Sequence, residues 1–117
     1  ISHPDIVFKH SLGIYPGDVD DVDEEMFYSY EKLYEEDDCD AIGEIGLDYH
    51  YDNIDKANQK KWFIRQLEVA KQQNLPVVIH SRDAAKDTLD IMKEAYTDSA
   101  KNLNLRITGS QAGEPKE

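Results

Sequence analysis

Two apolar stretches of the sequence are each interrupted by a side chain that can bind a metal ion. Residues 41–49 read Ala-Ile-Gly-Glu-Ile-Gly-Leu-Asp-Tyr, with the carboxylate of Glu44 inside the stretch. Residues 76–83 read Pro-Val-Val-Ile-His-Ser-Arg-Asp, with the imidazole of His80 inside it. A carboxylate can bridge a pair of divalent cations and a neutral imidazole can bind one of them, so these residues suit a hydrolytic site for zinc, manganese or a similar ion. A buried Glu or His is also commonly structural, and the two residues alone leave both interpretations open.

Strand and helix patterns alternate along the chain and must position these side chains. Apolar runs predict strands at Ile6–Phe8 with Leu12–Ile14, Cys39–Ile45, Pro76–His80 and Leu103–Ile107. Helical periodicity predicts helices over about Glu24–Glu36, from Asn53 or Asp55 to about Gln73, and over a segment that carries Ala85, Leu89, Met92 and Tyr96. The order strand, helix, strand, helix, strand, helix, strand predicts an α/β fold with parallel strands and right-handed crossovers.

The predicted helices have recognisable ends and apolar faces. Asp23 is a favourable N-cap for the first helix, Asn74 is a plausible C-cap for the second, and Ser81 and Asp83 are candidate caps for the third. Two helix faces are expected to pack on the sheet. In the first helix the residues are Met26, Tyr30 and Leu33, with Phe27 and Tyr34 beside them, and in the second they are Phe63, Leu67 and Ala70, with Ile64 adjacent.

The strand order suggests where the chemistry lies. Parallel sheets covered by helices carry their functional residues at the carboxyl ends of the strands, and Glu44 and His80 fall at about those ends. The order does not distinguish a segment of a barrel from an open doubly wound sheet. Neither a G-x-G-x-x-G sequence nor a Walker loop is present, so nothing favours a nucleotide-binding fold.

Composition bounds the class of protein. The 117 residues are enough for one domain or part of one, and fewer than the roughly 250 residues of a complete eight-stranded α/β barrel. With 13 basic and 25 acidic residues the formal charge is -12, so the bulk surface repels polyanions and membrane headgroups. Cys39 is the single cysteine, which excludes an internal disulfide and suits a reducing compartment. Together with the lack of a long apolar segment or signal sequence, this predicts a cytoplasmic protein, and the lack of an initiating methionine suggests that Ile1 is not the natural start.

The motifs around these residues resemble the TatD family of metal-dependent deoxyribonucleases, which are amidohydrolase-like barrels. The matching segments are 41–49, the helix with Gln59, Phe63, Gln66 and Leu67, and 74–84. The similarity extends from about Ile6 to Tyr96. Upstream, residues 12–16 look like the G-[IV]-H-P turn of the family, but Tyr15 stands where the family usually has histidine.

The resemblance implies roles for five residues. Glu44 corresponds to the catalytic carboxylate that bridges a pair of divalent ions (Mg, Mn or Zn), and His80 corresponds to a ligand of one of them. Arg82 lies at the rim, where contact with a substrate phosphate and an exposed salt bridge are about equally plausible. Asp48 and Asp83 are expected to support the ligands or to cap a helix. No ligand role is implied for the remaining histidines, which are His3, His10 and His50.

Several family motifs have no counterpart in the sequence. These are the N-terminal H-x-H, the later histidine before F-[ST]-G and the aspartate of E-T-D-[SA]-P; the nearest segment, Leu105–Ser110, contains no histidine. The chain is therefore predicted to form about half of a TIM-type (β/α)8 barrel, with a partial domain over residues 1–108 and a polar, disordered tail over 109–117.

Two functions of different classes remain open. The first is a metal-dependent hydrolase of phosphodiester bonds in DNA that carries only part of the site, with another amidohydrolase-like phosphoesterase as the alternative enzyme. The second is a catalytically inactive interaction module, in which exposed sheet edges favour self-association or a complementing chain.

Overall fold

The fold is a parallel sheet with helices between its strands. The computed structural model describes residues 10–36, 39–96 and 105–108, the last four by their backbone. The strands are β1 (Ser11–Leu12), β2 (Ala41–Asp48), β3 (Val77–Arg82) and β4 (Leu105–Thr108). The helices are a 3-10 helix (Pro16–Asp21), α1 (Glu24–Tyr34), α2 (Lys56–Gln73) and α3 (Ala85–Ala95). All neighbouring strands pair in parallel in the order β1-β2-β3-β4, which confirms the predicted α/β class.

Local signals in the sequence determine the bounds of α2. The carboxylate of Asp55 accepts a hydrogen bond from the backbone N–H of Ala57 at 3.0 Å, which caps the first turn. At the other end Asn74 adopts a left-handed conformation, with φ 57°, and ends the helix before Pro76. The C-terminal end agrees with the prediction, and of the two predicted N-cap candidates, Asn53 and Asp55, the structure has Asp55.

The core lies between the sheet and its helices. Ile45, Leu47 and Ile79 of the strands and Leu67 of α2 are fully buried there, and Phe63 is almost fully buried. Each such side chain contributes about 1.5–3 kcal/mol by leaving water. Because strand residues alternate between faces, this packing turns the intervening residues of β2 and β3 toward the opposite face of the sheet.

The apolar face of α1 agrees with the prediction at Tyr30, which packs against the core, but it is centred on the residues that the prediction placed beside that face. Met26 and Leu33 are 42% and 45% exposed, whereas Phe27 and Tyr34 are buried. The ring of Phe27 packs edge-on against Trp62 at a centroid distance of 5.2 Å, and the hydroxyl of Tyr34 donates to the carbonyl of Leu12 at 3.0 Å. Burial of the large rings of Phe27 and Tyr34 stabilises the fold more than burial of Met26 and Leu33 would. The helix is therefore rotated by about one residue from the predicted orientation.

The strand bounds also differ from the prediction. β2 continues to Asp48 and β3 to Arg82, so Glu44 lies in the middle of its strand and not at its end. β1 is shorter than predicted and ends at Leu12. The backbone of the next residue, Gly13, lies so close to Gly43 that a Cβ on Gly13 would lie 2.9 Å from the Gly43 amide nitrogen.

The connections hold two further differences. The connection between β1 and α1 contains the 3-10 helix, for which no strand or helix was predicted, and the buried side chain of Val19 anchors it. The residue that precedes α3 is Ala84, with no side-chain cap, and the hydroxyl of Ser81 instead bonds that of Thr88 at 3.0 Å. The predictions at Ile6–Phe8, Leu103 and 109–117 fall outside the described residues. Among the helices of the described residues, none has the length and apolar character needed to cross a membrane.

Candidate metal centre

The polar face of the sheet is built by β2 and β3. Gly46 is the register partner of His80, and Asp48 is the register partner of Arg82. The alternation of side chains places these four residues on one face, opposite the apolar residues that pack against the helices.

Asp48 and His80 form a buried pair on this face. Oδ2 of Asp48 lies 2.8 Å from Nε2 of His80, and Oδ1 accepts the backbone N–H of His50 at 3.0 Å. Asp48 has no exposed surface and His80 only 7%. Because an ionised carboxylate accepts hydrogen bonds and does not donate them, the proton between the pair belongs to Nε2. In a neutral imidazole with its proton on Nε2 the lone pair is on Nδ1, which is the atom that would bind a metal ion.

Tyr15 covers the same imidazole. Its hydroxyl lies 3.3 Å from Nε2 of His80, and the two ring centroids are 4.8 Å apart with an interplanar angle of 57°. Burial raises the pKa of Tyr15 to about 12, helped by a hydrogen bond with Tyr51 and by the negative charges of Asp48 and Glu44. The phenol is therefore neutral at physiological pH, and the carboxylates of Asp48 and Glu44 both lie within electrostatic range of it.

Glu44 occupies an irregularity in β2. Gly43 pairs with Val78 and Ile45 with Ile79, so Glu44 is an extra residue with no register partner in β3. The peptide bond before it is cis, and its side chain is half-buried. Such a bulge changes the direction of a side chain relative to a regular strand.

Gly46 allows the close approach of the two strands beside the site. Its backbone φ of 140° is an angle that residues with a side chain rarely adopt. A Cβ at this position would collide with the backbone carbonyl of His80. Only glycine therefore fits at position 46 while the backbone of His80 keeps its position.

Two buried glutamines of α2 hold the backbone around the site. Gln59 accepts the backbone N–H of Asp48 at 2.8 Å and donates to its carbonyl at 3.1 Å. Gln66 accepts the N–H of Ile14 at 2.6 Å, lies 3.4 Å from its carbonyl, and donates to the carbonyl of Trp62 at 2.9 Å. These glutamines were predicted only as part of the family similarity, although a polar residue within the apolar stripe of a helix is the signal that could have found them.

The remaining predicted residues lie at the carboxyl end of β3. Arg82 is half-buried, and no ion pair joins its guanidinium to a carboxylate among the described residues. Asp83 has φ 54°, and its Oδ1 is buried without a hydrogen bond to any described residue. Its Oδ2 lies 3.9 Å from Nδ1 of the exposed His50. Asp83 thus lies next to the loop after β2.

These residues fit part of a metal centre. A carboxylate lies on Nε2 of His80, as it commonly does behind a metal-binding histidine, and both oxygens of that Asp48 carboxylate have hydrogen-bond partners. Within residues 10–36 and 39–96, no group of three or more His, Cys, Asp and Glu side chains is arranged to hold a metal ion. The described residues therefore supply an incomplete set of ligands, with Glu44 and His80 as the candidates.

A comparison with known families identifies the barrel. The sequence profile of the family described as TatD related DNase matches residues 3–110. The chain belongs to this family. The crystal structure of YjjV, a TatD homologue from Escherichia coli K12, matches 73% of this chain and 34% of its own with a TM-score of 0.69 and 29% sequence identity. The sheet is therefore part of a TatD-type barrel, as predicted, and not an open doubly wound sheet.

Relatives in the TatD family have names that state a metal requirement or a nuclease activity. Uncharacterized metal-dependent hydrolase YabD of Bacillus subtilis is 39% identical over 100 residues, which are 86% of this chain and 39% of that protein. Deoxyribonuclease TATDN3 of Homo sapiens is 41% identical over 58 residues, which are 46% of this chain and 21% of that protein. The chain thus spans about two fifths of the length of the Bacillus relative.

Proposed function

We propose that Glu44 and His80 are metal ligands in a site that hydrolyses phosphodiester bonds of DNA. Membership of the TatD family supports this proposal, as do the names of its relatives, which include a metal-dependent hydrolase and a deoxyribonuclease. The observation that carries it is the buried contact of 2.8 Å between Asp48 and His80, because a carboxylate behind a histidine is the usual arrangement at metal-binding histidines.

The residues of the site have separate tasks. Glu44 would bridge a pair of Mg, Mn or Zn ions and thereby act as the catalytic carboxylate. His80 would bind one of them through Nδ1, and Asp48 holds its ring in that tautomer. Bound divalent ions polarise a phosphoryl oxygen and lower the pKa of water, which makes a nucleophile available at neutral pH.

Arg82 would contact the substrate. It shares the polar face of the sheet with His80 and lies two residues closer to the carboxyl end of the strand. A guanidinium fits a phosphate through paired hydrogen bonds, and it would supply local positive charge on a chain of net charge -12. Asp83 would support the adjoining loop near His50 and would not bind the metal.

A complete site requires more ligands than the described residues offer. Other parts of the protein, a second copy of the chain or a complementing chain would supply them across the sheet edges, and this association remains a prediction.

The test is hydrolysis by the 117-residue chain in Mn²⁺ or Zn²⁺, with a labelled DNA oligonucleotide, a small chromogenic phosphodiester and a small amide as substrates. We expect cleavage of the DNA that is abolished by a chelator and by either Glu44→Gln or His80→Gln. Glu68→Gln, which changes an exposed glutamate of α2, is the matched control and should keep full activity.

Other outcomes would replace the proposal. Turnover of only the small phosphodiester or the amide would indicate another amidohydrolase-like enzyme. No turnover of any substrate and no bound metal would indicate an inactive interaction module, whereas bound metal without turnover would indicate that a complementing chain supplies the missing ligands.

A further inference from the structure

We infer that Gln59 and Gln66 are positioning residues for His80. The side chains of Asp48 and Tyr15 contact Nε2 of this histidine. Each glutamine forms hydrogen bonds with the backbone at or directly before one of these two residues. Gln59 binds the backbone of Asp48, and Gln66 binds the backbone of Ile14, which directly precedes Tyr15. The functional meaning of this inference rests on the proposed metal site, but its geometry does not.

The two glutamines form a matched pair on one helix. They are separated by two turns of α2, so they share a face and lie roughly 10 Å apart along the axis. Both are almost completely buried, with relative exposures of 0% and 1%. The helix α2 therefore sets the distance between the two backbone segments that its glutamines bind, at Ile14 and at Asp48.

Because β1 is short, the backbone groups at the carboxyl end of β2 that point away from β3 do not pair with β1. β1 pairs only with Ala41 and Ile42, while the N–H of Tyr49 donates to the carbonyl of Arg82 in β3. Successive residues of a parallel strand direct their backbone groups to opposite sides, so those of Asp48 point away from β3. Leaving these groups buried and unpaired would cost stability, and the amide of Gln59 supplies both partners.

Holding both backbone groups of one residue also fixes the direction of its side chain. Asp48, held in this way by Gln59, approaches Nε2 of His80 to 2.8 Å, and Tyr15, which follows the Ile14 backbone held by Gln66, approaches it to 3.3 Å. Because the carboxylate of Asp48 accepts the hydrogen bond from Nε2–H, the phenol oxygen can only be a second acceptor of that hydrogen. The pair of glutamines thus limits both the rotation and the tautomer of the imidazole.

The test uses the 117-residue chain labelled with ¹⁵N at histidine, without metal, at about pH 8, where an ordinary imidazole is neutral. The variants are Gln59→Met and Gln66→Met, which keep the volume and remove the polar atoms. Gln72→Met is the matched control, since Gln72 is an exposed glutamine of the same helix. His80→Gln assigns the His80 signal, and long-range proton–nitrogen correlations report which ring nitrogen carries the proton.

We expect the parent chain and Gln72→Met to show one form of His80 with the proton on Nε2. Gln59→Met and Gln66→Met should show signals averaged between the two tautomers. Their affinity for Mn²⁺ should fall about 3- to 10-fold, somewhat less than for loss of a residue that touches a metal-binding histidine directly.

A purely structural role predicts a different result. The methionine variants would then unfold more easily, but their folded fraction would keep the parent His80 signal, and this would overturn the inference. If a methionine variant does not fold, Gln59→Glu and Gln66→Glu replace it, because each keeps the acceptor oxygen and loses the donor. An unchanged His80 signal in these variants would equally overturn the inference. If the parent chain binds no Mn²⁺, the proposed function fails, while the tautomer measurement still decides the role of the glutamines.

Discussion

The carboxylate of Asp48 lies 2.8 Å from Nε2 of His80, on adjacent parallel strands and out of contact with water. The second oxygen of Asp48 is held by the backbone of His50, so the carboxylate cannot turn away from the ring. This arrangement favours the tautomer with the proton on Nε2, so Nδ1 is the nitrogen of His80 that would bind a metal under the proposed function.

Asp48→Asn should weaken metal binding by about 10- to 100-fold, because the neutral amide no longer holds the proton on Nε2 of His80. Isothermal calorimetry with Mn²⁺ and Zn²⁺ measures the change. Asp52→Asn, an exposed aspartate of the following loop, should bind as the parent does. Equal affinities of the two variants would mean that Asp48 has no influence on a metal.

Gly46→Ala should destabilise the chain by about 2–3 kcal/mol or more, since φ is 140° and the new Cβ would collide with the carbonyl of His80. Urea unfolding followed by circular dichroism measures the loss. Gly17→Ala is a milder control, because its Cβ would meet only side-chain atoms, at 3.2–3.3 Å. A smaller loss in Gly46→Ala than in Gly17→Ala would show that the two strands do not approach as described.

The chain should lose stability as the pH rises above about 10. Burial raises the pKa of Tyr34 above its usual value of 10.0, and its hydroxyl bonds the carbonyl of Leu12. The unfolded chain therefore releases this proton at a lower pH than the folded chain, so the stabilisation is complete below pH 10 and decreases above it. The other tyrosines whose pKa is raised by burial act in the same direction, and they are Tyr15, Tyr49 and Tyr96.

The variant that tests this pH dependence is Tyr34→Phe. It should lose about 1 kcal/mol at neutral pH with its hydrogen bond, and its stability should fall less steeply between about pH 9 and pH 11. Denaturant unfolding over this range gives the slope. A slope equal to that of the parent chain would show that Tyr34 is not protected from ionisation.

The sequence predicted those parts of the fold that local chemistry determines. Asp55 and Asn74 mark the ends of α2 because capping depends on neighbouring backbone groups alone. The orientation of α1 was wrong because Phe27 and Tyr34 find their partners, Trp62 and Leu12, in distant parts of the chain. Such long-range contacts leave no periodic signal in the helix itself.

The candidate site shows the same division. The interruptions at Glu44 and His80 stand out in apolar strands, so both could be proposed as ligands from the sequence, and their role remains a prediction. The contact between Asp48 and His80 spans 32 positions and depends on the register of β2 and β3, which the sequence does not state. The position of Glu44 in a bulge was likewise not predictable, because an extra residue in a strand leaves the apolar pattern almost unchanged.

The most direct test of the account is calorimetric titration of the 117-residue chain with Mn²⁺ and Zn²⁺ beside the double variant Glu44→Ala, His80→Ala. The double variant Glu68→Ala, His10→Ala, which removes an exposed glutamate and an exposed histidine, is the matched control. We expect the parent chain and the control to bind the metal ions stoichiometrically, and the Glu44, His80 double variant to lose this binding. Equal binding by all three proteins, or binding by none, would contradict the assignment of Glu44 and His80 as metal ligands.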